Sequence, residues 1–590
     1  MAKRESLNGK SYAGNPHVWF DEGEAASTAT SRRGSLLNAV KKVALGLCLV
    51  CGAVLEPLSA QVFDFSKGTE GWTVHNYESR VSFCATNIDG VAGFAACVPG
   101  VKVPLPKGKR PNHPDTAWGM RGPKVNVDPG AGFSFTLKFR TTLNASKMSG
   151  ADDHSCFIAF FDENGEELAD YVPFALGPES NAWQTVTLFG RVPEKAKSLQ
   201  LNIGCDVPNI GPGDSIVFSK AAFKWYPAGP SSDCRVTMRD DGGVLVGGKP
   251  FFPIGIYGVR ECDANGNDMR TAMRDLKEIG INLVHTYYVS RNGTLQKFMD
   301  AAHEFGLKTW IPAGQSNKEF LEANILADRH HPSILAWYLG DDTGNYLSAA
   351  EVYRRHEVCH ALDPDRITVQ ADYMHGRRST RYLDYVSATD AFLPEIYTVF
   401  VKEHTGGEVA DVLCDMNTVK ACNRMKGYPN RSFWPIIQYF EGWRDWKRFP
   451  DAKELRAMTF AAIVGGGKGV TFYIYSDSKT KRPNGWWGYG VTHTPEHWAT
   501  FSKVIREISA LEKDLAARDA EVQPKVEIVS GPKKNIRGTA SVNVLLKETG
   551  LLMALNSSTN QVVAEVKLPG CSKVKTLTLE PFGVAVERIK

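Results

Sequence analysis

Three regimes of hydrophobic patterning divide the chain. From residue 61 to about 228, apolar and polar residues alternate in short runs. In Gly132-Phe133-Ser134-Phe135-Thr136-Leu137-Lys138-Phe139 every second side chain falls on one face of a strand. Cys156-Phe157-Ile158-Ala159-Phe160-Phe161 is more continuously apolar and stops at the turn Asp162-Glu163-Asn164-Gly165, and Trp183 to Leu188 alternates again. Helical spacing is nearly absent, which predicts an all-β sandwich over 61–228.

The Pro-, Gly- and Ser-rich stretch Pro227 to Ser232 reads as a linker, and Asp241 to Pro250 as a short hairpin entering a new domain. Apolar strand candidates then alternate with helical patterns. The strands are Phe251–Tyr257, Ile281–Tyr288, Leu307–Ala313, Ile334–Gly340, Ile367–Ala371, Val386–Ile396, Phe433–Phe440 and Gly469–Tyr475. Between the first two, Met269, Ala272, Met273 and Leu276 follow helical spacing and Gly280 stops it. Eight such units in about 270 residues predict a (β/α)8 barrel over 233–522. The rival, a doubly wound open sheet, normally carries a Gly-rich phosphate loop after its first strand, and Ile256-Tyr257-Gly258-Val259-Arg260 is not one. From 523 to 590 short strands with polar turns, Val542–Leu546, Leu551–Leu555, Val562–Val566, Val574–Leu579 and Phe582–Ile589, predict a small C-terminal β-sandwich.

Residues 1–60 read as an export signal and presequence. Val43 to Leu55 is an uncharged apolar run behind Lys41 and Lys42, followed by Leu58-Ser59-Ala60 as a small-residue cleavage site before Gln61. The run is shorter than the about 20 residues needed to span a bilayer, so no transmembrane segment is expected in the mature chain. The mature protein is expected outside the cytoplasm, periplasmic, cell-surface or secreted. The formal charge of +4 falls to +2 without these residues, and there is no basic block or stripe of the kind that binds nucleic acid. Ten cysteines follow the signal, and pairs such as Cys84–Cys97 or Cys414–Cys422 are open to oxidation, with buried free thiols as the alternative. Among these ten there is no Cys-x-x-Cys pair and no His–Cys cluster with zinc spacing, and Gly465-Gly466-Gly467-Lys468 precedes a strand rather than a helix. The sequence therefore asks for neither a metal nor a cofactor.

In a barrel the chemistry lies at the C-terminal strand ends. Strand two brings His285, Tyr287 and Tyr288 there, strand four Asp341 and Asp342, strand six Glu395 and Tyr397, strand seven Gln438 and then Glu441, and strand eight Tyr475. Carboxylates converging from different strands suit glycoside hydrolysis, in which one group protonates the leaving oxygen and another attacks the anomeric carbon or activates water. Trp443, Trp446, Trp486, Trp487 and Tyr489 add flat apolar faces of the kind that cover sugar rings. The partner expected from these residues is a carbohydrate substrate.

His331-Pro332-Ser333-Ile334-Leu335-Ala336-Trp337-Tyr338-Leu339-Gly340-Asp341-Asp342 resembles the strand-four signature of retaining clan A glycoside hydrolases. Gly248 to Gly255 resembles their first-strand entry, and Ala457 to Tyr475 their last strand. Phe63-Asp64-Phe65 to Gly71-Trp72, with Ile216 to Trp225, resembles jelly-roll carbohydrate-binding modules. The barrel resemblance implies an exported glycoside hydrolase with Asp342 as acid/base, since it occupies the place of the family's general-acid Glu. Gln438 aligns with the family's nucleophilic Glu, and an amide cannot replace that carboxylate. Glu441 or Glu395 would then supply the second carboxylate, with Asp341, His285, Tyr287, Tyr397, Gln438, Trp443, Trp486, Trp487 and Tyr475 binding sugar. The alternative is a barrel that has lost catalysis and serves as a carbohydrate-binding protein.

Overall fold

The computed structural model describes residues 60–75, 82–97, 118–142, 156–174, 176, 181–205, 213–226, 234–260, 268–287, 294–313, 318–374, 376–442, 446–476, 488–570 and 574–589. Residues 1–59 of the segment expected to be an export signal lie outside them, as do Trp443, Trp486 and Trp487. No helix among the described residues is long and apolar enough to cross a membrane.

The first region is a two-sheet antiparallel sandwich. One sheet runs Trp183–Arg191, Gly132–Thr141, Ser215–Tyr226, Val91–Cys97, Ser82–Ile88, with Ala60–Asp64 also paired to Ser215–Tyr226. The other runs Thr73–His75, Trp118–Arg121, Ser198–Cys205, Phe157–Phe161, Glu167–Pro173, with Val125–Asn126 against Ser198–Cys205. The alternation in Gly132–Thr141 does what its period dictates: Phe133, Phe135, Leu137 and Phe139 enter the core against Phe160, Leu199, Leu201 and Phe223.

Eight parallel strands close the central barrel: Ile254–Ile256, Leu283–His285, Lys308–Pro312, Ile334–Tyr338, Ile367–Tyr373, Ala391–Ile396, Ile436–Gln438 and Val470–Tyr473. Each pairs with the next and the last with the first. Strand seven is entered through the two-residue strand Ser432–Phe433; Pro435, which has no N–H to donate, interrupts the ladder between them. The helix Met269–Ile279 is capped by the Asp268 side chain on the Thr271 N–H and ends at Gly280 in the left-handed conformation. It buries Met269, Ala272, Met273 and Leu276. Inside the barrel Trp310 fills the space that Gly255 leaves, since a Cβ there would meet the indole at 3.2 Å and Thr471 at 2.8 Å.

The C-terminal domain pairs two three-stranded sheets, Lys525–Ser530, Val562–Lys567, Val574–Leu579 and Val542–Leu546, Leu551–Asn556, Val584–Arg588, around Leu552, Ala554, Val562, Ala564 and Leu577. Its first strand, in which only Val526 and Ile528 turn inward, is too polar to have been read from the sequence.

Two joints tie these layers. The helix Ala349–Leu362 lies on strands Gly132–Thr141 and Trp183–Arg191 of the sandwich so closely that a Cβ on Gly132 would stand 1.4 Å from the Ala361 carbonyl oxygen. Nearby Glu322 accepts from Lys224 Nζ at 2.6 Å and from Tyr226 Oη at 2.8 Å. At the other joint Asp519 accepts from Lys468 Nζ at 2.8 Å and Lys547 Nζ at 2.7 Å. Cys414 and Cys422, offered above as a pair, are eight residues apart on the helix Glu408–Met425. That is about 12 Å along its axis, beyond disulfide reach, and both are free thiols. Cys84 stands opposite Ala95 rather than Cys97.

Gly132→Ala is expected to lower stability by about 1–3 kcal/mol or more through this overpacking. The check is a drop in midpoint on thermal or chemical denaturation, with Gly213→Ala, where a Cβ meets nothing within 4 Å, producing a smaller loss from backbone strain alone.

Candidate functional site

Parallel strands that end together deliver their last side chains to one place, and here three consecutive strands deliver acids. Strand four ends in Tyr338 and runs into Asp341 and Asp342, strand five ends at Asp372 and Tyr373, and strand six carries Glu395. In the fifth–sixth register Tyr373 lies opposite Glu395.

Asp341 is the hub. Its Oδ1 accepts from Tyr338 Oη at 2.8 Å, and its carboxyl group also bonds the Glu395 and Tyr287 side chains. Burial raises the Asp341 carboxyl, against the pull of these donors. Glu395, buried, is pushed well above the usual carboxylate range, first by burial and then by the negative charges of Asp342, Asp341 and Asp372. The pair thus holds a proton on Glu395, which donates to Asp341. Two carboxyls in contact, one buried and the other half-buried, do not both ionise readily.

Asp372 stands behind them. Its Oδ2 accepts from the Gly344 N–H and its Oδ1 from the Tyr373 N–H, both at 2.9 Å. A Cβ on Gly344 would lie 2.4 Å from Oδ2, so only glycine lets the turn after Asp342 approach. Burial lifts Asp372 to about 6, with Arg381 opposing. Asp342 itself adopts a left-handed conformation, φ 48°, and does not cap the short helix Thr343–Tyr346 that follows.

Below the acids lies a box of rings. His285 is enclosed by Tyr257 and Tyr287 at 4.6 Å and by Trp310 and Tyr338 at 5.0 Å between centroids. Neither of its ring nitrogens has a hydrogen-bond partner among the described residues, and burial pushes its basicity well down, so the imidazole is neutral. Tyr397 and Tyr473 stand 5.8 Å apart on the far wall, with Phe440 edge-on to both. Trp446 stacks on Phe400 and meets Tyr397 edge-on. Burial and the neighbouring carboxyls keep the Tyr338, Tyr397 and Tyr473 phenols protonated, as donors.

Of the residues expected at the site, Asp341, Asp342, Glu395, Tyr287, His285 and Tyr397 come together. Three do not. The Gln438 amide is fully buried and bonded to backbone: Oε1 accepts from the Val399 N–H at 2.9 Å, and Nε2 donates to the Val399 and Phe440 carbonyls at 3.2 and 3.3 Å. It fastens the turn after strand six to strand seven rather than facing a ligand. Tyr475 sits in the core, edge-on to Trp498 of the helix Pro495–Ala510. Glu441 accepts the Phe449 N–H on Oε2 at 3.2 Å and exchanges backbone hydrogen bonds with Tyr489, which turns it to the rim loop. Trp443, Trp486 and Trp487 lie outside the described residues. Tyr257, Tyr338, Asp372 and Tyr473 were not singled out from sequence. Asp372 lies one residue past the predicted end of strand five, and Tyr338 and Tyr473 sit within apolar strands whose inward side was not separable from the outward one.

No protein-family model matches the chain, and no curated relative does. Solved structures with a similar course include a glycoside hydrolase family 5 protein from Bacteroides vulgatus ATCC 8482 (TM-score 0.42, 13% identity, covering 62% of this chain and 92% of that one). A β-galactosidase from the psychrophilic Marinomonas ef1 follows at 0.40 and 10% identity, covering 57% and 100% of the two chains. An FMN-binding β-glucuronidase from Facaelibacterium prausnitzii L2-6 spans more of the chain, 89% of it and 98% of its own length, at 0.34 and 10% identity.

Because Asp372 holds its proton more tightly folded than unfolded, it binds more protons in the native state between about pH 4 and 6, and its contribution to stability falls as pH rises through that window. Asp372→Asn removes this loss. Measured by denaturant titration, the variant should gain on the parent by about 1–3 kcal/mol from pH 4 to pH 7. An unchanged difference across that range would contradict the assignment. Gln438→Glu is expected to destabilise by about 3–5 kcal/mol, since it puts an unpaired charge against two carbonyls, and to add no activity.

Proposed function

We propose that the chain is an exported glycoside hydrolase that cleaves O-glycosidic bonds of a poly- or oligosaccharide at the mouth of the barrel. The observation that carries this reading is the buried Glu395 carboxyl bonded to Asp341 among acids from three consecutive strands, an environment that raises its pKa well above the usual carboxylate range. A carboxyl group kept protonated near neutral pH is what leaving-group protonation requires.

The geometry redistributes the roles expected from sequence. A hydrogen-bonded carboxyl pair is about 2.5–3.0 Å apart, closer than the about 5–5.5 Å of retaining or 6.5–9.5 Å of inverting catalysis. Asp341 and Glu395 are therefore not the two groups that flank the scissile bond. In this proposal Glu395 is the general acid, Asp341 holds its proton, and Asp342 is the second carboxylate. The phenols of Tyr397 and Tyr473 donate to sugar hydroxyls, the Tyr287 oxygen, whose proton is on Asp341, accepts from one, and the ring faces cover apolar C–H surface. One observation favours a second reading, a barrel that binds carbohydrate without cleaving it: the amide of Gln438 stands at the end of strand seven and is occupied by backbone.

A glycan-panel screen of the mature protein, starting near Gln61, separates the two; binding without turnover selects the second. If turnover is found, Glu395→Gln and Asp342→Asn should each lower kcat by about 10²–10⁴-fold, while Glu441→Gln stays within a few-fold. Full activity in both of the first two variants would sink the assignment. The alkaline limb of kcat/KM reports Glu395 losing its proton. Asp341→Asn removes a negative neighbour, so that limb should move to lower pH.

A further inference from the structure

We propose that His356, His360 and Asp390 form a binding site for a divalent transition-metal ion of the zinc type, at the opposite end of the barrel from the acid cluster. His356 and His360 are one turn apart on the helix Ala349–Leu362, which puts both imidazoles on one face, with ring centroids 4.4 Å apart. Asp390 immediately precedes strand six and is brought to them by the parallel pairing of strands five and six. One ligand atom from each residue lies within 4.8 Å of the others.

The hydrogen bonds prepare the donors. Thr368 Oγ1 donates to Asp390 Oδ2 at 3.1 Å, so its contact with His356 Nδ1 at 2.7 Å is one it accepts. That places the His356 proton on Nδ1 and leaves a lone pair on Nε2. A ring N–H anchored on an oxygen, with the other nitrogen free to ligate, is the common state of a metal-bound histidine. Asp390 Oδ2 is also fixed by the Thr368 N–H at 2.8 Å. His360 Nε2 lies 2.8 Å from the same oxygen. Ligands on bonds of about 2.0–2.1 Å in tetrahedral or octahedral geometry are about 2.9–3.3 Å apart, so an ion replaces the shared proton there with a small expansion. All three residues are partly exposed, which leaves a path for the ion. His404, Asp451 and Glu454 gather as closely, but the Arg448 guanidinium already lies on both Glu454 oxygens and supplies the positive charge there.

An ion at this position would clamp the helix that carries the sandwich to the start of strands five and six. The full chain, stripped with EDTA, is titrated with zinc chloride by calorimetry and with cobalt chloride by visible absorption. One ion per chain is expected, with an X-ray absorption spectrum of two imidazole nitrogens and light-atom neighbours. Thr368→Val should weaken binding about 10–100-fold, His356→Gln and His360→Gln more, and His404→Gln not at all. Should either histidine variant fail to fold, the ligand set in the parent spectrum decides. Absence of stoichiometric binding, a sulfur shell, or loss of binding in His404→Gln instead would overturn the proposal.

Discussion

A carboxyl group enclosed at the mouth of a closed barrel must be neutral or be held by donors, and this constraint orders everything around Asp341. With no sheet edge to open and an interior already filled by Trp310 and Tyr257, water reaches the acids only from the mouth, and a charge on the buried Glu395 is poorly solvated. Tyr338, Tyr287 and Glu395 therefore converge on one carboxylate, and the excess negative charge is removed by leaving Glu395 protonated. The surrounding phenols stay neutral for the same reason. His285, surrounded by rings and without a partner among the described residues, cannot carry a positive charge to offset the acids.

The architecture was legible because burial imposes periods. Parallel strands covered on both faces appear as short apolar runs between helical patterns, and seven of the eight barrel strands fall inside the runs expected for them, the fifth overrunning its own. A one-sided sandwich strand such as Gly132–Thr141 shows its alternation directly. The acids of strands four and six were legible through a geometric rule, that strand ends share a face. The rule names which strands contribute but is blind to a slip of one residue. Strand five extends two residues past its apolar run, and that extension carries Asp372 to the mouth. Nor does spacing say where a side chain turns. Gln438 ends strand seven and Glu441 follows three residues later, yet one bonds the backbone of the adjacent turn and the other the rim, because each satisfies a backbone N–H there.

The joints between domains were not legible at all. Gly132, which in sequence looks like the ordinary start of a strand, is the point where a helix backbone lies against a sheet. Glu322 draws two donors from one sandwich strand, Lys224 and Tyr226, and Asp519 draws one from the barrel, Lys468, and one from the C-terminal domain, Lys547. Such contacts depend on distances between residues far apart in the chain, which no local pattern encodes.

The left-handed backbone at Asp342 bears on why that position holds an aspartate where the resemblance leads one to expect a glutamate. Every side chain with a Cβ pays about 1–2 kcal/mol in this conformation, and Asp and Asn enter it more readily than Glu because their short polar side chains hydrogen-bond locally. The reach of the carboxylate and the path of the chain are thus one variable, not two. Lengthening the acid by a methylene would favour an extended backbone at 342, withdraw Gly344 from Asp372, and so loosen the strand-five acid.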